Sequence, residues 1–319
     1  MIIFLSLLAA VIPTILYVVL LWRLDRFDRE PFKDLFITFL YGGIGVIIIA
    51  IIATVSINWL VSVRFALIPK DSRLETMLIA PVIEETLKAV FLIIALRKRP
   101  FDSYLDGFVY GAAAGFGFAM TENFLYFIAG SQSASGWVTI VIIRSLFSAT
   151  MHGIATGFFG LCYAMYRFST YKVRRVFPAI GWTVALIIHA GWNTGVSSED
   201  TVLLSFLFVI VAVLLSVAVF RALLMNEEKI IFQELKEEAD LGIIPATHPG
   251  IMSSHLRHRD GWIHQGIKEL YVRSAIRLAF KKHALKQPGH KPNTLLEQEV
   301  VYYRNKMHSL ISDQVLQEH

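Results

Sequence analysis

Seven apolar runs fill most of the first 225 residues of this chain, at roughly 2–22, 36–61, 76–96, 106–129, 137–166, 177–196 and 201–225. A bilayer is crossed by about 20 apolar residues, and tilt absorbs a longer run. Within hydrocarbon each backbone N–H and C=O needs a partner inside the protein, which a helix provides by itself. The chain therefore reads as all-α, a polytopic membrane helix bundle with about seven transmembrane helices. Its composition agrees, since 55% of its 319 residues are hydrophobic and only 17% charged. The mean hydropathy of +0.57 exceeds what a soluble domain of this length carries.

The net charge of +5 calls for no nucleic acid, because Lys and Arg gather beside the apolar runs. Arg23, Arg26, Arg29 and Lys33 follow the first run, Arg97, Lys98 and Arg99 the third, and Arg167, Lys172, Arg174 and Arg175 the fifth. The alternate loops are poorer: one holds Arg64, Lys70 and Arg73, and 130–136 and 197–200 hold no Lys or Arg. The positive-inside bias places the N-terminus outside and the C-terminus in the cytoplasm. Residues 1–22 lack a basic leader and a small-x-small cleavage site, so they read as a retained first helix. Cys162 is the single cysteine, which excludes an intramolecular disulfide framework and a cysteine-based metal site.

After residue 225 the composition turns polar. Residues 226–240 read as an acidic amphipathic helix, broken by Pro245, Pro249 and Gly250. Helix-like stretches follow at about 265–286 and 293–316, separated by Gln287-Pro-Gly-His-Lys-Pro292. Two domains are expected: 1–225, a transmembrane domain, and 226–319, a helical cytoplasmic C-terminal region. The tail histidines His248, His255, His258 and His264 match no zinc-finger spacing.

Few ionisable groups lie within the runs: Glu84, Glu85, Lys88, Glu122, Arg144, His152 and His189. An acidic residue at a helix centre costs roughly 2.5–3.5 kcal/mol on insertion scales. A helix rise of about 1.5 Å per residue sets Glu84, Glu122, Arg144 and His189 in one band, ~10–12 Å below the outer surface. His152 falls nearer the midplane. Asn193 stands one turn from His189 on the same face, and Asn123 adjoins Glu122. Polar groups from four helices converging on one level point to one shared site. Lys88 reaches Glu84 at i+4 or Glu85 at i+3, so either glutamate qualifies as the free one. Arg144 is read as the partner of Glu122 or as a snorkelling residue. Pro81 is expected to kink the third helix and free a carbonyl there.

These groups suit hydrolysis. A glutamate of raised pKa serves as general base on a water, a histidine holds that water or protonates the leaving amine, and Asn193 donates to an oxyanion. Neither Gly-x-Ser-x-Gly nor His-Glu-x-x-His occurs, which argues against a serine esterase or zincin arrangement. Glu84, His152 and His189 nevertheless form a set able to hold zinc, although the chemistry requires no cofactor.

Glu84-Glu-Thr-Leu-Lys88, Glu122-Asn123, Met151-His-Gly153 and His189-x-x-x-Asn193 resemble, in order, the motifs of the PrsW family of intramembrane proteases. That family is related to the CAAX prenyl endopeptidase and bacteriocin-processing superfamily. Leu24-Asp-Arg-Phe-Asp-Arg-Glu-Pro31 also looks like it, and the resemblance covers about residues 1–225. The wider superfamily has Glu-Glu-x-x-x-Arg and Phe-x-x-x-His. This chain has Lys88 one residue sooner and Phe147 five residues before His152, as fits the PrsW branch. The resemblance implies a protease of a bacterial plasma membrane that makes an outer-side first cut in a membrane-anchored protein such as an anti-sigma factor. It also implies catalytic roles for Glu84, Glu85, His152 and His189. Glu122 is then a supporting or proton-relay acid, with Lys88, Asn123 and Arg144 around it. The rival readings are a proton- or cation-coupled transporter, a CAAX- or bacteriocin-type processing protease, and a scaffold. No internal repeat of the kind common in transporters is visible.

Overall fold

The computed structural model describes residues 1–64, 73–97, 103–169, 172–287 and 294–317. Lys70, Lys98 and Arg99, counted above in the loop charges, lie outside these residues, as does 288–292 of the expected helix break. The described residues are helical almost throughout and divide into two units. The first comprises Met1–Leu24, Glu30–Arg167 and Val173–Val219, and the second Asp25–Arg29, Phe168–Lys172 and Phe220–His319.

In the first unit, α1 is Ile2–Leu24. Then α2 (Phe32–Leu40) continues through a π turn (Tyr41–Val46) into α3 (Ile47–Asn58). A second π turn, Glu75–Ile79, leads into α4 (Ala80–Arg97). Next come α5 (Tyr104–Ala129), α6 (Ala134–Ile143), a π turn (Arg144–Ser148), α7 (Ala149–Phe168) and α8 (Phe177–Val196). The last, α9, is one unbroken helix, Val202–Asp240. The acidic stretch expected from 226 thus prolongs the final apolar run without a break.

Five helical stretches among the described residues are long and apolar enough to cross a membrane: Ile2–Leu24, Phe32–Val61, Ala134–Phe168, Lys172–Val196 and Val202–Asp240. The expected third and fourth spans are helical but less apolar. The 18 residues of α4 include Glu84, Glu85, Lys88 and Arg97, while α5 is rich in Gly and Ala. Every residue of α5 from Leu105 to Ala119 is buried, so protein surrounds this helix and its composition answers to packing. Its start is set by a capping box: the Ser103 hydroxyl accepts from the Asp106 N–H, and the Asp106 carboxylate accepts from the Ser103 N–H at 2.8 Å.

Small residues let α5 touch its neighbours backbone to backbone. A Cβ at Gly115 would strike the His152 carbonyl of α7, and one at Gly117 the Phe39 carbonyl of α2. On another side α1 packs along α5, with the Tyr17 hydroxyl donating to the Ser145 carbonyl at 3.1 Å. A cluster built on Met151, Ala155, Ala185, Ile188, Trp192 and Val209 joins α7, α8 and α9.

In the second unit the polar end of α9 packs with α10 (His248–Met252), α11 (Gln265–Lys286) and α12 (Thr294–Gln317). Lys282 donates to Glu238 at 2.6 Å and to the Glu234 carbonyl at 2.7 Å, and Arg304 grips Glu238 through two bonds of 2.7 Å. Arg257 lies over the Phe27 ring and donates to the Arg26 carbonyl at 3.0 Å, tying 25–29 to this unit.

Candidate active site

α4 brings Glu84, Glu85 and Lys88 to one face because i, i+1 and i+4 fall within about 100° of one another around the helix. Lys88 is fully buried, and its ammonium donates to Glu85 Oε1 at 2.8 Å and to His152 Nδ1 at 2.9 Å. It sits 3.8 Å from the centre of the Phe118 ring, with Glu84 Oε2 farther off at 3.9 Å. Of the two pairings the sequence allowed, the i+3 one to Glu85 is the hydrogen bond.

His189 arrives from α8, with Nδ1 2.8 Å from the same Glu85 Oε1. A carboxylate only accepts, so Nδ1 carries the proton and Nε2 presents a lone pair. That lone pair lies 3.8 Å from Glu84 Oε2, a buried oxygen without a hydrogen-bond partner. Two acceptors thus face each other across a gap, an arrangement that calls for a proton donor or a cation between them.

The π turn Arg144–Ser148 sets the start of α7, which carries His152. An ammonium only donates, so His152 Nδ1 accepts from Lys88 and Nε2–H donates to Glu122 Oε2 at 3.0 Å. Arg144 pairs with that same oxygen of Glu122, donates to Asn123 Oδ1 at 2.9 Å, and lies over the Tyr126 ring at 3.6 Å. Asn123 returns a bond to the Arg144 carbonyl at 3.2 Å. The two histidine rings stand edge to face, 4.6 Å between centroids.

The structure therefore gathers Glu84, Glu85, Lys88, Glu122, Asn123, Arg144, His152 and His189 into one connected cluster of four helical segments. Asn193 is placed apart from it. Its carboxamide donates to the Thr76 carbonyl at 2.8 Å on the more exposed rim. Phe118 and Thr76 were not singled out from the sequence. Phe118 is one aromatic among many in an apolar helix, whereas Pro81 did signal a spare carbonyl.

Residues 30–220 match the family described as "PrsW family intramembrane metalloprotease". That stretch is more than half of the chain. The chain belongs to the PrsW family. Similar curated proteins are "Protease PrsW" of Clostridioides difficile (strain 630), 24% identical over 235 residues, and "Protease PrsW" of Bacillus subtilis (strain 168), 26% identical over 186. The first alignment covers 72% of this chain and 96% of that relative, and the second 58% and 79%. No solved structure matches. This PrsW-family chain is thus a multi-pass membrane protease of bacterial type, and its five apolar helical stretches agree.

The family description implies a metal. Glu84, His152 and His189 offer ligand atoms all within 4.8 Å of one another, one carboxylate and two imidazoles, a set that zinc accepts. The unpartnered Glu84 oxygen and the His189 lone pair fit such an ion, and Glu85 orients His189 as an outer carboxylate does in zinc sites. His152 fits with one adjustment, because its lone pair is directed to Lys88.

Proposed function

We propose that this chain hydrolyses a peptide bond near the outer end of a single-span membrane protein such as an anti-sigma factor. Glu84 is the base in this reading and Glu85 its structural partner. The observation that carries it is the buried Glu84 oxygen with no hydrogen-bond partner facing the His189 lone pair, while the Lys88 ammonium and the His189 Nδ1–H are both bonded to Glu85. A water bridging Glu84 and His189 could be deprotonated by Glu84 and held in line by His189. His152, linked through Glu122 to Arg144, would deliver a proton to the departing amine. Asn193, at the rim on the face of His189, would donate its second N–H to the oxyanion.

A metal held by Glu84, His152 and His189 would polarise the water and the scissile carbonyl. The four ordered motifs and the family membership support proteolysis over transport. Seven membrane passes, with α4 and α5 as interior helices, an outer N-terminus and 226–319 as a cytoplasmic region, complete the proposal. The loop charges support that orientation, and it sets Glu84 in the outer half.

The test is co-expression of the full chain with a tagged single-span anti-sigma-factor reporter. Glu84→Gln should stop cleavage while the protein still accumulates in the membrane. Unchanged cleavage by Glu84→Gln would overturn the assignment. Metal analysis of the purified protein, beside cleavage with and without chelator, tells a metal-held water from one held by protein alone.

A further inference from the structure

The outer end of α4 contains a backbone defect that serves the site. In the π turn Glu75–Ile79 the backbone runs in the five-residue register, and the Ala80 N–H bonds the Glu75 carbonyl. The next bond in this register would run from residue 81 to the Thr76 carbonyl. Residue 81 is Pro, which has no N–H, so the Thr76 carbonyl is left without its helical donor. Asn193 on α8 supplies the donor from its side chain, at 2.8 Å.

We propose that Pro81 is a positioning residue that orients Asn193 through the Thr76 carbonyl. A carboxamide has a donor end and an acceptor end of nearly equal shape, and nothing in its packing need distinguish them. A carbonyl only accepts. It therefore holds Asn193 with Nδ2 toward α4 and Oδ1 away, and the second Nδ2–H is left to donate to an entering peptide. Turned over, Asn193 would present its oxygen to the developing oxyanion and repel it. His189 stands one turn before Asn193 on the same face, so the oriented amide and the water-holding ring come from one helix. Asn58 holds Glu75 by a side-chain hydrogen bond, which steadies the turn that carries Thr76.

This inference rests on the oxyanion role proposed above for Asn193, and the experiment separates the two. The purified full-length protein is assayed in detergent with the anti-sigma-factor reporter, as wild type, Pro81→Ala, Asn193→Ala and the double variant. Pro81→Ala restores an N–H that competes for the Thr76 carbonyl. The expected result is a fall in kcat of about fivefold or more with KM unchanged, and no further fall when Pro81→Ala is added to Asn193→Ala. A purely structural proline would lower activity equally in both backgrounds, and that additivity, or full activity in Pro81→Ala, overturns the positioning role. Full activity in Asn193→Ala overturns the oxyanion role instead.

A second measurement does not depend on the proline variant folding. With 15N-asparagine label in micelles, the Asn193 side-chain pair is assigned by its loss in Asn193→Asp. One proton of that pair should resonate well downfield of the other and exchange slowly with solvent. A pair that exchanges like that of a free asparagine overturns the proposal.

Discussion

Two clusters of acids and bases are buried among the described residues, and they are finished differently. In the second unit Glu238 has all its demand met: Lys282 bonds one oxygen, and Arg304 bonds both. Glu234 is likewise bonded by Lys286 at 2.6 Å. In the first unit Glu85 and Glu122 are matched in the same way, by Lys88 and His189 and by Arg144 and His152. Among the carboxylates of these two clusters Glu84 Oε2 is the exception, buried and without a hydrogen bond, although Asp25 Oδ2, away from the Glu234–Glu238 network, shares that condition. A complete network holds helices together. A network in which one acceptor has no protein donor turns that acceptor toward something that is not protein, and burying such an oxygen is costly. Such a cost is common at functional sites.

The largest effect should come from removing the exception. Glu84→Gln is expected to lower cleavage by about 10²–10⁴-fold, the range of a general base, with little change in heat stability because no bonded cation loses its partner. Cleavage of the reporter and thermal unfolding in detergent read the two effects separately. If Glu84→Gln instead destabilises the protein as much as Glu85→Gln does, the two acids are equivalent and the contrast fails.

Lys88→Met strikes the matched part of the same site. It leaves Glu85 with only His189 and removes the donor that fixes the His152 tautomer. Breaking a buried pair from one side costs about 3–5 kcal/mol, so both accumulation and activity should fall.

Glu238→Ala makes the corresponding break in the second unit, and its cost should be of similar size or somewhat smaller because Arg304 is partly exposed. Limited proteolysis should then release fragments from 220–319. Resistance equal to wild type would show that the network there contributes little.

A last effect concerns Asp25, also in the second unit. Burial, with Asp28 beside it, lifts its carboxyl from 3.8 to about 7, and Arg29 only partly offsets this. A folded-state value above the unfolded one favours the protonated folded form, so stability is greatest below about 3.8 and is lost as pH rises through 7. Asp25→Asn should remove that loss, giving up to about 4 kcal/mol at pH 8 and about half of that at pH 5.5. Unfolding curves at the two pH values check it.

Much of the site was legible along the chain because charged residues in apolar runs are conspicuous. Glu84, Glu85, Glu122, His152 and His189 needed no fold to be noticed, and the pairing of Arg144 with Glu122 was one of two readings. The division of labour between Glu84 and Glu85 was not legible. Lys88 reaches both along α4, and only the approach of α8, with His189 Nδ1 on Glu85, settles which is bonded twice. The partner of Asn193 was hidden for a different reason. Pro81 announced a spare carbonyl, but the π register that makes it Thr76, and the 117 residues separating Thr76 from Asn193, have no local signature. The interior place of α5 was also obscured, since Gly and Ala lower hydropathy whether a helix faces lipid or protein.

The chain alone was enough to settle helices, a membrane setting and which ionisable groups lie within the apolar runs. Those follow from local chemistry: backbone bonds closed within each segment and the cost of charge in hydrocarbon. Folding decided which carboxylate is free, which histidine nitrogen carries the proton and where Asn193 points. Each of these depends on a partner from another helix, and a hydrogen bond takes its direction from both ends.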